Sequence, residues 1–266
     1  MLVCQITDTH VRLPGELSRG VVDCAAMLQQ CVEAILRLPQ RPDAVVATGD
    51  LVDGGTLGEY EHVRRLLEPL PMPVYLLPGN RDDRTAMRKV FAEHAYLQQG
   101  AFIQYAIEDW PLRIVALDTV VPTESPGRLC NERLDWLEKT LTSSLDKPTL
   151  LMMHHPPFPT FIGSMQPFGF EGSERLAEIV ARNPQVERVL CGHIHRSVAF
   201  RFARTIASIC PSTAHQTTLN LSDATPTFTM EPPGFQLHAW KQGVGVVSHT
   251  ASIGEYSGPY PFRPAA

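Results

Sequence analysis

Asp43-Ala44-Val45-Val46-Ala47-Thr48-Gly49-Asp50-Leu51-Val52-Asp53 is the stretch that sets the fold class. An apolar, β-branched run between polar residues predicts a buried strand, and Gly49 at its carboxyl end predicts a sharp turn that presents Asp50 at the sheet edge. Open α/β sheets keep their chemistry at that edge. A carboxylate placed there can give one oxygen to each of two cations.

Toward the amino end, Leu2 to Thr7 reads as a strand followed by Asp8-Thr9-His10. Asp8 and His10 sit two apart, which in extended geometry puts both on one side. Val21, Ala25, Leu28, Val32 and Ile35 recur at helical spacing, in a helix ending near Pro39. Toward the carboxyl end, a helical pattern from Leu57 to Leu70 is followed by the strand Val74 to Leu77, which runs into Pro78-Gly79-Asn80. This alternation implies right-handed crossovers and a mainly parallel centre. Further on, the pattern predicts a helix from Asp82 to Glu93, strands Phe102 to Ile107 and Leu112 to Leu117, and a helix from Asn131, its possible cap, to Leu141. A strand Thr149 to Met153 then delivers His154 and His155. Pro156 to Phe170 is an irregular loop, Glu174 to Ala181 a helix, and Val186 to Cys191 a strand that releases Gly192-His193-Ile194-His195. After Ser197 the helical patterns stop, and Val198 to Phe202, Ile206 to Ile209, Phe235 to Trp240 and Val244 to His249 suggest antiparallel strands. The class is α/β and residues 1–266 form one domain. Its strand-rich C-terminal part spans 199–253, with a Ser-, Thr- and Pro-rich arm at 211–234.

With 44% hydrophobic and 19% charged residues and a net charge of -5, the chain is neither disordered nor built to coat nucleic acid. The amino end runs straight into a strand, and no apolar run is long enough to span a bilayer, which predicts a cytoplasmic protein without membrane attachment. The six cysteines lack CxxC spacing, so they read as small buried hydrophobes rather than thiolate ligands.

The strand ends carry hard oxygen and imidazole donors. Asp8, His10 and His195 with Asp50 would hold one metal, and Asn80, His154 and His193 with Asp50 a second. Asn80 ligates without adding charge, which leaves the second metal more Lewis acidic. The absence of sulfur suits two divalent ions drawn from Mn, Fe, Co or Zn. Such a pair binds a phosphoryl group and its nucleophile together.

Asp8-x-His10, Gly49-Asp50-x-x-Asp53, Gly79-Asn80-x-Asp82, His154-His155-Pro156-Pro157 and Gly192-His193-x-His195 resemble the signature blocks of the calcineurin-like metallophosphoesterases. The likeness extends to the branch of class III cyclic nucleotide phosphodiesterases and bacterial glycerophosphodiesterases, and runs from Met1 to about Pro259. It implies a four-layer α/β/β/α sandwich with two mixed sheets and a strand-rich cap or arm. It also implies a dinuclear site, a homo-oligomer, and hydrolysis of a small phosphodiester by in-line attack of a metal-bound hydroxide. One position departs from the pattern. The family has Gly-Asn-His-Asp, whereas this chain has Gly79-Asn80-Arg81-Asp82. Arginine stays charged and is no general acid, although its fork can grip a phosphate oxygen. Protonation of the leaving oxygen is therefore weakened, or passes to His155, to His215 at a family position near the substrate, or to water.

Three readings stay open: a phosphodiesterase of glycerophosphodiester or 3′,5′-cyclic nucleotide type, a phosphomonoesterase of the same fold, and a non-catalytic metal-binding scaffold. Phe158, Phe161, Phe168 and Phe170 are either an apolar wall beside the site or packing of a long loop. Arg84 and Arg88 read as a solvated helix face, and His62, His94, His238 and His249 are given no role.

Overall fold

The computed structural model describes residues 1–162, 170–222 and 225–263. Two mixed sheets face each other. The first has the order β13-β12-β1-β2-β3, built from β1 (Leu2–Ile6), β2 (Ala44–Thr48), β3 (Val74–Leu77), β12 (Gly234–Lys241) and β13 (Gly245–Ser252). The second has the order β4-β5-β6-β7-β9-β8, from β4 (Tyr105–Ile107), β5 (Arg113–Ala116), β6 (Thr149–Met152), β7 (Val186–Cys191), β8 (Val198–Phe202) and β9 (Thr205–Ile209). β1, β2 and β3 pair parallel, as do β5, β6, β7 and β9. Strands β4, β8, β12 and β13 join antiparallel.

Side chains alternate across the second sheet as the two-residue period requires. Ile114, Ala116, Leu150, Met152 and Leu190 enter the core shared with the first sheet. Val115, Leu151 and Val189 instead meet Leu134, Leu137 and Leu141 of α4 (Asn131–Thr142) and Leu176, Ile179 and Val180 of α5 (Ser173–Arg182). The first sheet is covered by α1 (Cys24–Leu36) and α2 (Leu57–Leu67), and α3 (Arg84–Val90) packs beside α2. Four layers result, in the order α/β/β/α.

Caps explain several boundaries that periodicity misplaces. Asp23 accepts from Ala26 N at 3.0 Å, so α1 begins at Cys24 rather than near Val21. Asp83 accepts from Ala86 N at 2.7 Å, which shortens the expected 82–93 helix to α3. Asn131 is the first residue of α4, not its cap; Cys130 holds that position, and Asn131 Oδ1 accepts from Arg175 Nη1 at 3.0 Å. Arg84 and Arg88 do not form a solvated face, because Arg84 makes a two-pronged bond with Asp118 at 2.6 and 2.8 Å and Arg88 donates to Leu97 O at 2.7 Å and Gly100 O at 2.9 Å.

The final third divides its strands between the two sheets, and β9 lies parallel to β7 rather than in an all-antiparallel layer. Residues 211–234 carry the short pair β10 (Gln216–Thr217) and β11 (Phe228–Thr229). No helix among the described residues is long and apolar enough to cross a membrane.

A polar seam crosses the space between the sheets. Gln5 of β1 donates through Nε2 to Thr48 Oγ1 and to Cys191 O, both at 2.9 Å, and its Oε1 lies 3.1 Å from His238 Nε2. His238 Nδ1 lies 2.8 Å from Ser248 Oγ. The amide thus bridges the ends of β2 and β7, one residue before Gly49 and Gly192.

Candidate metal centre

Parallel strands emit their carboxyl ends on one edge, and every predicted ligand leaves from such an end: Asp8 and His10 after β1, Asp50 after β2, Asn80 after β3, His154 after β6, and His193 and His195 after β7. The backbone stays tied past the strands. Asp8 N donates to Gly49 O at 3.0 Å, His10 N to Asp50 O at 3.0 Å and Gly192 N to His154 O at 2.9 Å.

The local conformation is not the extended one that the two-residue spacing of Asp8 and His10 suggests. Asp8 (φ 52°), His10 (φ 44°), Asp50 (φ 50°), His193 (φ 73°) and His195 (φ 51°) all occupy the left-handed region. Each such residue costs about 1–2 kcal/mol, which the surrounding packing must offset. Such strain accumulates where function demands a fixed side-chain direction. Gly49 (φ 96°) is required for a second reason: a Cβ there would stand 2.5 Å from His154 Nδ1 and 2.7 Å from Gly79 N. A Cβ on Gly79 would strike Asp50 itself. The two glycines let the β2 and β3 loops touch.

The side chains converge in two groups around Asp50. His10 Nε2 lies 3.0 Å from His195 Nε2 and 3.6 Å from Asp50 Oδ2, while His195 Nε2 lies 3.4 Å from Asp8 Oδ1. On the other side, His154 Nε2 is 3.5 Å from Asp50 Oδ1 and 3.2 Å from Asn80 Oδ1, which lies 3.0 Å from His193 Nδ1. The far ring nitrogens fix the tautomers. His10 Nδ1 faces Asp53 Oδ1 at 3.2 Å, His195 Nδ1 faces His215 O at 3.1 Å and His154 Nδ1 faces Thr48 O at 2.8 Å. Those oxygens only accept, so each Nδ1 carries the proton and each Nε2 turns a lone pair inward. Two lone pairs at 3.0 Å repel unless a cation stands near them. The donor set of imidazole nitrogens, carboxylates and one amide oxygen, all buried or nearly so, fits a pair of divalent ions and contains no sulfur.

The electrostatics agree. Burial alone would raise Asp8, but His195, with His154 and His10, holds its carboxyl far below the usual range. Burial and then His154 push His193 down to about 3, whereas Asp8 and Asp50 raise His195 against its burial.

Several supporting residues were not assigned a role from sequence. Asp53, in the quoted Gly-Asp-x-x-Asp block, orients His10; their hydrogen bond, acting against burial, lowers its carboxyl to about 2. Asp82 accepts from Leu51 N at 3.1 Å, Gly79 N at 2.8 Å and Tyr60 OH at 2.8 Å, fastening the β2 and β3 loops. Burial and the nearby Asp50 push it up to about 7. Thr7 Oγ1 donates to Asp8 Oδ2 at 2.8 Å.

The remaining site candidates separate. Arg81 donates its backbone N–H to Asp50 Oδ1 at 2.8 Å and is itself exposed, so its side chain starts beside the centre. His155 is fully buried, with Nδ1 2.7 Å from Thr119 Oγ1 and Nε2 3.0 Å from Ser125 O. It can be grouped by distance with His154 and His193. With both nitrogens occupied, however, it supports the wall and has no proton ready for a substrate. His215 packs its ring 4.6 Å from that of His195, and its Nδ1 has no hydrogen-bond partner among the described residues. Burial, then His195 and His10, push it down to about 3. Of the loop phenylalanines, Phe158 and Phe170 belong to the core under α4 and α5, Phe161 is exposed, and Phe168 lies outside the described residues.

Comparison with known proteins identifies the family and the fold. The model of the calcineurin-like phosphoesterase family matches residues 1–197. The chain is 39% identical over 264 residues to a probable glycerophosphodiester phosphodiesterase GpdQ of Arcobacter nitrofigilis, covering 98% of this chain and 97% of that protein. It is 31% identical over 238 residues to the 3′,5′-cyclic adenosine monophosphate phosphodiesterase CpdA of Pseudomonas aeruginosa, covering 89% and 84% of the two chains. Among solved structures, a dimetal phosphatase from Danio rerio superposes with a TM-score of 0.69 at 15% identity, covering 96% of this chain and 99% of that one, a likeness of fold.

Proposed function

The chain belongs to the calcineurin-like phosphoesterases, and from that premise we propose that it is a metal-dependent phosphoric diester hydrolase acting on a small phosphodiester of glycerophosphodiester or 3′,5′-cyclic nucleotide type. The observation that carries the reading is the position of Asp50, with one oxygen 3.6 Å from His10 Nε2 and the other 3.5 Å from His154 Nε2. Asp8, His10 and His195 with Asp50 would hold one cation, and Asn80, His154 and His193 with Asp50 the other. Mn, Fe, Co or Zn suits both positions. Two such ions acidify water and neutralise phosphoryl charge.

The chain's own groups shape what is bound. Arg81 offers its fork to a non-bridging phosphate oxygen and keeps its proton throughout. His215, held neutral by burial beside His195, meets the substrate as an uncharged imidazole, and His155 is closed off by Thr119 and Ser125. Neither His155 nor His215 is protonated near neutrality and Arg81 keeps its proton, so of the three sources considered water is left to supply the leaving oxygen. Esters with acidic leaving groups are therefore favoured.

A phosphomonoesterase reading uses the same residues. The ratio of activity on bis(4-nitrophenyl) phosphate to 4-nitrophenyl phosphate with added Mn separates them, and a strong monoester preference overturns the diesterase reading. The scaffold reading is disfavoured because all seven ligand candidates are present in one place. The same proposal includes a cytoplasmic homo-oligomer joined through 211–234. The exposed Leu219, Leu221 and Met230 support that role, and sedimentation of a variant with these three made polar tests it.

A further inference from the structure

Residues 18 to 22 form a tight hairpin at the rim of the centre. Ser18 and Val22 exchange backbone hydrogen bonds of 2.9 Å in both directions, and Arg19 at the tip adopts φ 54°. Both feet are anchored to walls of the site. Ser18 Oγ donates to Asp53 Oδ2 at 3.3 Å, the carboxylate whose other oxygen orients His10. Val22 is fully buried and clusters with Cys24 and Ala214, the residue before His215. The feet thereby tie the hairpin to the side of the centre where His10 and His215 pack, with ring centroids 5.6 Å apart.

Arg19 is exposed, and no hydrogen bond or ion pair holds its side chain among the described residues. Three other guanidiniums are engaged, Arg12 with Glu16 at 3.0 Å, Arg84 with Asp118 at 2.6 Å and Arg196 with Glu231 at 2.6 Å, while Arg81 is assigned to the scissile phosphate. Asp53 is already shared among His10, Ser18 and Arg12. Arg19 is near enough for its charge to lower both the Asp53 carboxyl and the His215 imidazole, as one of the lesser influences on each. Two divalent cations held by the carboxylates of Asp8 and Asp50 leave a surplus positive charge. The single charge of a diester and the proton lost by the attacking water close that surplus. Arg81, assigned to a non-bridging oxygen of the scissile phosphate, and Arg19 both stand outside this balance, and only Arg19 is left without an anion.

We infer that Arg19 is a specificity-determining residue that reads a second anionic group on the substrate, a carboxylate or phosphate on the alcohol portion beyond the scissile phosphorus. The inference rests on the phosphodiesterase reading for its biological meaning but is tested without turnover. The Mn-loaded protein is titrated calorimetrically with two non-hydrolysable phosphonates, 2-amino-3-phosphonopropionate and 2-aminoethylphosphonate, which differ by one carboxylate. The wild type should bind the carboxylated probe about tenfold more tightly, a preference that salt weakens. Arg19→Gln should abolish the preference and Arg19→Lys should retain most of it, which separates charge recognition from damage to the hairpin. Equal affinities in the wild type, or a preference that survives in Arg19→Gln, overturn the inference. Hydrolysis of bis(4-nitrophenyl) phosphate by the wild type is scored separately, so loss of the phosphodiesterase reading leaves the binding result intact.

Discussion

His10 Nε2 and His195 Nε2 face each other at 3.0 Å, each ring pinned from behind by an oxygen that only accepts. As neutral imidazoles neither ring has a proton to offer the other, so a cation between the loops would relieve the contact. Asp50 lies at the junction of this pair with the group formed by Asn80, His154 and His193, and is the side chain on which both proposed metal positions depend.

Asp50→Asn should lower turnover of bis(4-nitrophenyl) phosphate by about 10³-fold, the scale of losing a central electrostatic group. Metal content of the dialysed protein, measured by plasma mass spectrometry, should fall below two per chain. Full activity in the variant would falsify the shared-ligand assignment.

Asp53→Asn keeps an acceptor for His10 Nδ1 but removes the charge behind it. Outer partners of this kind set the basicity of the ligand, and metal affinity should drop by about 10- to 100-fold. Titration of the apoprotein with Mn gives the number, and an unchanged affinity assigns Asp53 to loop packing alone.

Arg81→His gives this position the histidine of the Gly-Asn-His-Asp block that residues 79–82 resemble. A correctly placed general acid is worth about 10²-fold or more on a poor leaving group. The ratio of kcat/KM for glycerophosphoethanolamine over bis(4-nitrophenyl) phosphate should therefore rise by at least about tenfold. A constant ratio shows that leaving-group protonation does not limit either substrate.

Gln5→Leu leaves Cys191 O and His238 Nε2 without their partner in a fully buried seam. Each group stranded there costs about 1–3 kcal/mol. The loss is read as a lower urea midpoint at constant slope. A midpoint within error of the wild type means that water replaces the amide.

His238 is pushed down to about 3 by burial and then by Arg188, from an ordinary value of 6.5. The unfolded chain thus binds a proton below pH 6.5 that the folded chain refuses. Stability from this group is complete above 6.5 and is lost as pH falls toward 3. By pH 4.5 the loss amounts to about 2–3 kcal/mol. His238→Gln, which cannot titrate, should flatten the dependence of unfolding free energy on pH across that window by about one proton. Identical slopes for the two proteins place the acid sensitivity elsewhere.

The strands, their order of appearance and the ligand candidates were legible because each of Asp50, Asn80, His154 and His193 follows an apolar run whose end is marked by glycine, proline or a change of polarity. Asp8 and His10 were found by composition while their conformation was misjudged: a spacing of two suggests extended chain, and only the ladder from Asp8 N to Gly49 O and from His10 N to Asp50 O imposes the left-handed turn. Gln5 and His238 gave no signal, since a polar residue in a strand looks solvent-facing until the second sheet closes over it. Asp53 was quoted as part of a motif, yet its partner His10 lies 43 positions away in sequence, beyond the reach of any local pattern. Arg84 lies on an apparent surface face because Asp118 belongs to the opposite sheet's loop, 34 positions on.

The bare backbone contact at Gly49 and Gly79 has an implication for engineering. Since peptide atoms rather than rotamers set how near the Asp50 loop comes to the Asn80 loop, the span between the two proposed cation seats would be built into the scaffold. Exchanging one metal for another should retune reactivity without respacing the pair. A designer seeking a wider seat for a bulkier cluster would have to reshape two loops at once.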